Sequence, residues 1–324
     1  FMIYINLSSS ISKLTELLNL NKILYKNEMI LALDRAGEGN MNVVIKVKTN
    51  RRSFIFKQSR PYVEKYQNIP APIDRIDVEY NFYNTIHGLH HRSNFPRIIF
   101  YCSKNHYIVQ EYIEDSDDFL GNYIKRKIDD SKVLKLTKIL KNIHESRHNI
   151  NYPLNDELKK LNHQHIFILP FIKENGFSLD SIQVGLEKVA HSFIDNELLK
   201  NKSLIIGNEY LKKGKTLLHG DYYPGSWLQN NQEIYIIDPE FSFIGDLEFD
   251  LGVFIAHIII ITQKEQCLSE IIRYYSGQIN KELLLNYTAI EIIRRIIGLA
   301  QIPIDLSLNE KEKLLNFSKQ LLLN

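Results

Sequence analysis

The chain has 324 residues, 44% of them hydrophobic, which is enough for two lobes and a substantial core and excludes disorder as a general description. With 40 basic and 38 acidic residues the formal net charge is +2, so no global field would recruit nucleic acid or a membrane; the expected partner is a small molecule met in a local pocket. Cys102 and Cys267 lie far apart without metal-ligand spacing, which argues against a disulfide framework and for a reducing compartment.

The N-terminus shows no basic region followed by an apolar core and a small-residue cleavage site, so the expected location is cytoplasmic. Residues 10–20 place Ile11, Leu14, Leu17 and Leu18 at helical spacing behind a run of serines. Three short runs rich in β-branched or aromatic residues, 29–34, 42–48 and 53–58, read as antiparallel strands. A helical pattern over 73–86 precedes two further strands, 97–101 and 106–112. The acidic stretch 114–118 reads as a linker, giving lobes at 1–113 and 114–324. Beyond it, helices are expected over 133–148, 178–199, 249–262 and 281–300. The longest apolar run, 251–262, contains His257 and falls short of the roughly 20 residues of a spanning helix, so it reads as buried. The fold class expected is α+β, a small mixed N-lobe with an antiparallel sheet and a larger, mainly helical C-lobe.

Two acidic loops carry the chemistry. His219-Gly220-Asp221 follows the apolar Leu217-Leu218, and Asp238-Pro239-Glu240 follows Tyr235-Ile236-Ile237. The polar gap 229–233 makes a hairpin between them. Alone, the first is an ordinary turn and the second a strand end closed by proline. In this order, with Asp221 and Asp238 17 positions apart, they have the layout of phosphoryl transfer. One carboxylate orients the attacking hydroxyl and the other holds a metal on the nucleotide phosphates.

Upstream, Gly37-Glu38-Gly39-Asn40 lies between the first two strands, where a tight turn lays backbone N–H groups over phosphates; a plain hairpin turn is the alternative for Gly37, Gly39 and Asn40. Lys57 ends the strand run Phe54-Ile55-Phe56, and the alternation turns its charge toward an anionic partner or solvent. Glu79 on the following helix is the partner expected, with Asp74 and Asp77 as competitors. Gln110, Glu111 and Tyr112, ending the last strand, would hold adenine through backbone groups. Arg294 and Arg295 lie on a helix whose Ile290, Ile293, Ile296 and Ile297 bury it. Adjacent helical residues point about 100° apart, so both reach one ligand only where the helix borders a cleft. Ordinary ion pairing with helix acids is the alternative.

The segments 36–42, 56–63, 219–221, 225–226, 238–241, 249–252 and 294–298 together resemble the 5-methylthioribose kinases, within the broader aminoglycoside phosphotransferase and choline kinase group of protein-kinase-like fold. The resemblance implies ATP and Mg2+ as cofactors and a homodimer. It implies Asp221 as the catalytic aspartate, Asp238 and Glu240 as magnesium ligands, and Lys57 and Glu79 at the nucleotide. Ser226 stands where other members of the group carry a metal-binding asparagine, and thioribose kinases resemble this chain there. Asp250 would brace the catalytic loop and His144 would be structural. Arg294, Arg295 and Tyr223 would face substrate. The pattern departs at Tyr223-Pro224, where the family carries His-Thr, and in 64–70, which lacks the family's tryptophan. Trp227 is expected to pack, and His87, His90 and His91 to be solvated.

The expectation is an ATP-dependent kinase acting on a hydroxyl of a small sugar-like molecule, with 5-methylthioribose or a related thiosugar as the leading acceptor. An aminoglycoside or other antibiotic phosphotransferase is the alternative, supported by the acidic run 114–118 and opposed by the arginine pair. A catalytically silent nucleotide-binding regulator would require loss of a phosphate or metal residue, whereas Lys57, Asp221, Asp238 and Glu240 are all present.

Overall fold

The computed structural model describes residues 3–9, 11–37, 41–87, 92–147, 151–173, 175–231 and 233–323. In chain order its elements are α1 (Ile11–Leu20), β1 (Ile30–Arg35), β2 (Val43–Thr49), β3 (Ser53–Gln58), β4 (Tyr62–Val63), β5 (Tyr66–Pro70), α2 (Arg75–His87), β6 (Ile98–Cys102), β7 (Tyr107–Glu111) and β8 (Ser116–Asp118). Then follow α3 (Gly121–Lys125), α4 (Asp130–His144), α5 (Asp156–His163), α6 (Leu186–Ile194), α7 (Glu197–Leu211), β9 (Thr216–Leu218), β10 (Trp227–Asn230), β11 (Glu233–Ile236), β12 (Phe243–Gly245), α8 (Leu247–Thr262), α9 (Cys267–Tyr275), α10 (Lys281–Ile297) and α11 (Leu308–Leu323).

The chain forms two compact units. The first is Phe1–Asp117 with Gln229–Phe241; the second is Asp118–Leu228 with Ser242–Asn324. The sequence placed a boundary after residue 113, whereas this division falls after Asp117 and returns 229–241 to the first unit.

In the first unit a five-stranded antiparallel sheet runs β1-β2-β3-β7-β6. Strand period sorts its side chains. Val43, Ile45, Val47, Phe54, Phe56, Tyr107 and Val109 form one core with Leu14, Leu17 and Leu18 of α1. Ile55 and Lys57 therefore occupy the opposite face, where Lys57 pairs across β3 and β7 with Ile108 and Ile55 with Gln110. Helix α2 supplies buried Ile76, Glu79, Phe82 and Tyr83. A short hairpin of β4 and β5 fills 62–70, a pairing that the sequence reading lacked.

In the second unit α8 is buried at every position from Glu248 to Ile261, and α10 at every position from Asn286 to Ile297. A helix as uniformly apolar as α8 belongs inside, and α10, which buries the charged Glu291, Arg294 and Arg295 as well as its isoleucines, packs against it. Among the described residues no helix is long and apolar enough to cross a membrane. The single helix expected over 178–199 does not form. Helix α6 stops at Ile194, and Asn196, in extended backbone, starts α7 by accepting a hydrogen bond from the Leu199 amide at 3.1 Å. Helices α5, α9 and α11 are further elements, lying in sequence whose expected character is helical without defined bounds.

Candidate active site

Lys57 organises the candidate residues of the first unit. Its ammonium is 2.6 Å from Glu79 Oε2 and 2.7 Å from Asp238 Oδ1, and Lys57 and Glu79 are almost completely buried. Of the three acids that the sequence left open, Glu79 is the one that reaches Lys57; Asp77 instead accepts from the Tyr101 hydroxyl at 2.9 Å. Burial opposes the charge on Lys57, but Asp238, Glu79 and Glu240 outweigh it and hold the ammonium above its ordinary range. The Asp238 side chain remains 42% exposed. Its backbone takes a left-handed φ of 62°, an uncommon conformation for a residue other than glycine, which is a local cost the surrounding structure must offset.

Glu240, by contrast, is buried and engaged. Its Oε2 accepts from Asn42 Nδ2 at 2.9 Å and lies 3.2 Å from Arg75 Nε. Arg75 is fully buried and also donates to Asn42 Oδ1 and to the carbonyls of Arg60, Pro72, Met41 and Tyr62. This guanidinium ties the start of β2, the turn before β4 and the Glu240 loop to the first turn of α2. The sequence reading missed Arg75, because nothing in its local pattern separates it from a solvated helix-start arginine.

Gly37 has a φ of 71°, so the turn after β1 uses a conformation that glycine adopts freely. Gly39 and Asn40 lie outside the described residues, as do His90 and His91. Gln110 is buried, with no hydrogen-bond partner for its Oε1, and Glu111 is exposed. The Glu111 amide donates to the Arg97 carbonyl, and the Lys46 ammonium lies 3.8 Å from the Tyr112 ring centre.

In the second unit the loop 219–226 is held by its own backbone. Asp250 Oδ2 accepts from the His219 amide at 2.6 Å and Oδ1 from the Gly220 amide at 2.9 Å. His144, the last residue of α4, lies against the same carboxylate and against the Tyr275 hydroxyl. Ser226 is buried and donates its hydroxyl to the Asp221 carbonyl at 2.9 Å, which closes the turn that presents Asp221. Trp227 is completely buried among Phe119, Tyr222 and Phe254.

The arginine pair on α10 is ion-paired with a helix acid, the alternative expected from the sequence, and one of the pair also reaches Asp221. Glu291 Oε2 accepts from Arg294 Nη1 at 2.9 Å, and Oε1 from Arg295 Nε at 2.6 Å. Arg295 Nη2 lies 3.7 Å from Asp221 Oδ1, and its guanidinium sits 5.0 Å from the centre of the Tyr223 ring. Asp221, Tyr223 and Arg295 are thus adjacent. Arg294 joins them through Glu291, with its own Nε buried and without a hydrogen-bond partner. Glu291 escaped the sequence reading, although its position three and four residues before the arginines was the signal available.

The Phosphotransferase enzyme family profile matches residues 33–285. A methylthioribose kinase of Exiguobacterium sibiricum is 26% identical over 248 residues, covering 72% of this chain and 61% of that protein. The chain spans about three fifths of the length of the curated relatives it matches. Among solved structures, spectinomycin phosphotransferase APH(9)-Ia in complex with ADP and spectinomycin aligns with a TM-score of 0.58 at 16% identity, covering 95% of this chain and 94% of that one. Choline kinase LicA from Streptococcus pneumoniae aligns with a TM-score of 0.53 at 14% identity, covering 97% and 99%. At these identities the structural likeness speaks for the fold, which is α+β and protein-kinase-like. With the profile spanning most of the chain, from β1 into α10, the chain belongs to the phosphotransferase enzyme family.

Proposed function

We propose that this protein is an ATP-dependent kinase that transfers the γ-phosphate to a hydroxyl of a small sugar-like molecule, with 5-methylthioribose or a related thiosugar as the leading acceptor. The observation that carries the reading is the buried Lys57 ammonium, clamped by Glu79 and by the half-exposed Asp238. A lysine fixed by a helix glutamate beside a metal-binding aspartate is the phosphate-holding arrangement of kinases. The first unit then serves the nucleotide and the second the acceptor. Adenine would rest on backbone groups of 110–112, and the segment that follows β1 and begins at Gly37 would cover the phosphates.

Magnesium prefers hard oxygen donors, usually one or two carboxylates completed by phosphate and water. Asp238 fits, being accessible with one oxygen on Lys57. Glu240 would join only by sharing a carboxylate already bound to Arg75 and Asn42, and Ser226 only through a hydroxyl already donating to a carbonyl. When bound, the ion would neutralise charge on the phosphates. Lys57 would hold the phosphates by charge. Asp221 would accept a hydrogen bond from the acceptor hydroxyl and take its proton as the new O–P bond forms and the bond to the β-phosphate oxygen breaks. Arg295, beside Asp221, would lie on the acceptor side.

Two further expectations are a homodimer, from the family resemblance, and a cytoplasmic location, from two widely spaced cysteines without a disulfide framework. Light scattering on the purified chain tests the first, with a monomer mass against it. The test of function is ATP turnover with a panel of acceptors. Phosphorylation of 5-methylthioribose or another neutral thiosugar, without phosphorylation of aminoglycosides, is the expected result. Turnover with aminoglycosides alone would assign the antibiotic reading, and ATP binding without turnover on any acceptor would assign a silent regulator.

A further inference from the structure

Arg294 and Arg295 are not two cations awaiting a ligand but two arms of one buried assembly. Glu291, 1% exposed, accepts at Oε1 from Arg295 Nε at 2.6 Å and from His257 Nε2 at 3.1 Å, and at Oε2 from Arg294 Nη1 at 2.9 Å. The other ring nitrogen of His257 lies 2.5 Å from the Tyr123 hydroxyl, and Tyr123 and His257 are completely buried. The donors assign the tautomer: Tyr123 donates to Nδ1, and the Nε2 proton points at the carboxylate. Burial pushes His257 down to about 4, against the Glu291 hydrogen bond, so the ring is neutral. Burial also opposes the Glu291 charge, but Arg294, Arg295 and His257 hold this carboxyl well below the usual range.

We propose that Glu291 is a positioning residue that aims Arg295 at Asp221 and the acceptor, anchored in turn by His257 on α8 and Tyr123 on α3. A guanidinium is planar, so a hydrogen bond at Nε fixes the direction in which Nη2 points. Here that direction ends 3.7 Å from Asp221 Oδ1, with the Tyr223 ring against the guanidinium. Glu291 itself has its oxygens filled by three donors and acts only through them. The anchors come from two other helices, so the Glu291 carboxylate that orients Arg295 is held from outside α10 as well as along it. The inference rests on the kinase reading above for its catalytic consequence, but not for its geometry.

The test is Glu291→Met, which removes every acceptor at nearly constant volume, with Glu291→Gln as the conservative variant that keeps one carbonyl oxygen. With ATP and 5-methylthioribose, E291M is expected to lose at least about tenfold in kcat while the Kd and KM for ATP stay within twofold, and E291Q to recover part of the loss. In ¹⁵N-arginine spectra the exchange-protected Arg295 Nε–H signal, assigned by its absence in R295K, is expected to vanish in E291M. Leu199→Ala, a core truncation in α7, serves as the control. It should lower the melting temperature and leave kcat per folded molecule unchanged. If E291M fails to fold, Tyr123→Phe decides, with reduced protection of that signal and a severalfold lower kcat at constant KM for ATP. Wild-type kcat in the folding variant, or a protected Arg295 signal that persists, overturns the proposal. If the wild type phosphorylates no acceptor, the kinase reading fails and the arginine signal alone decides whether Glu291 holds Arg295.

Discussion

At Asp221 the backbone matters as much as the carboxylate. Gly220 has a φ of 84°, which glycine adopts without strain, and this conformation accompanies the adjacent His219 and Gly220 amides both pointing at Asp250. Ser226 then closes the loop on the Asp221 carbonyl, so the acid is held from both sides. On the proposed chemistry, Asp221→Asn keeps that loop and removes the proton acceptor together with the negative charge facing Arg295. Turnover should fall by roughly 10²–10⁴, the usual range for loss of a general base, while ATP affinity measured by calorimetry is unchanged. A variant with more than about a tenth of wild-type turnover takes Asp221 out of the mechanism. Lys57, Asp221 and Asp238 stand out in the sequence because each is a charge at the end of an apolar run, where its placement demands a reason. Arg75 and Asn42 do not, because their importance lies in carbonyls and a carboxylate contributed by distant segments.

Among elements, those with a clear period were legible, and their ends were not. Strand β3 matches its expected range, and α8 and α10 begin within two residues of theirs. The pattern over 178–199 misled because apolar recurrence continues across a break. Asn196 offers its side chain to the Leu199 amide, and that local bond starts a new helix instead of extending the old one. Asn-Glu followed by two leucines is a helix-start signal in plain view, overridden in the reading by periodicity. Replacing Asn196 by Ala removes the cap, with an expected loss of about 0.5–2 kcal/mol. Denaturant unfolding measures it, and kcat should not change, since the hydrogen bonds of Asn196 run to Phe193, Leu199 and Lys200, away from the described site residues. An unaltered midpoint would mean that α7 starts without its cap.

For the whole molecule, membership of the two units was the least legible feature. The stretch 229–241 belongs with the first unit although more than a hundred residues of the second intervene. That is a matter of long-range packing, and a boundary drawn at an acidic linker cannot detect it. Global stability should carry a signature of the buried α8 and α10 core. His257 titrates at about 4 in the fold against an ordinary 6.5, so between those values the unfolded chain binds the extra proton. Stability from this group is complete above pH 6.5 and is lost as the pH falls toward 4. At about 1.4 kcal/mol per pH unit the window amounts to at most about 3.5 kcal/mol. Comparing wild type with His257→Gln, which keeps a donor for Glu291 but does not titrate, isolates the term from every other acid-sensitive group. Urea unfolding at pH 7.0 and pH 5.0 should show a smaller acid-induced loss in the variant. An equal loss in both proteins would mean that His257 is not held neutral between α8 and α10.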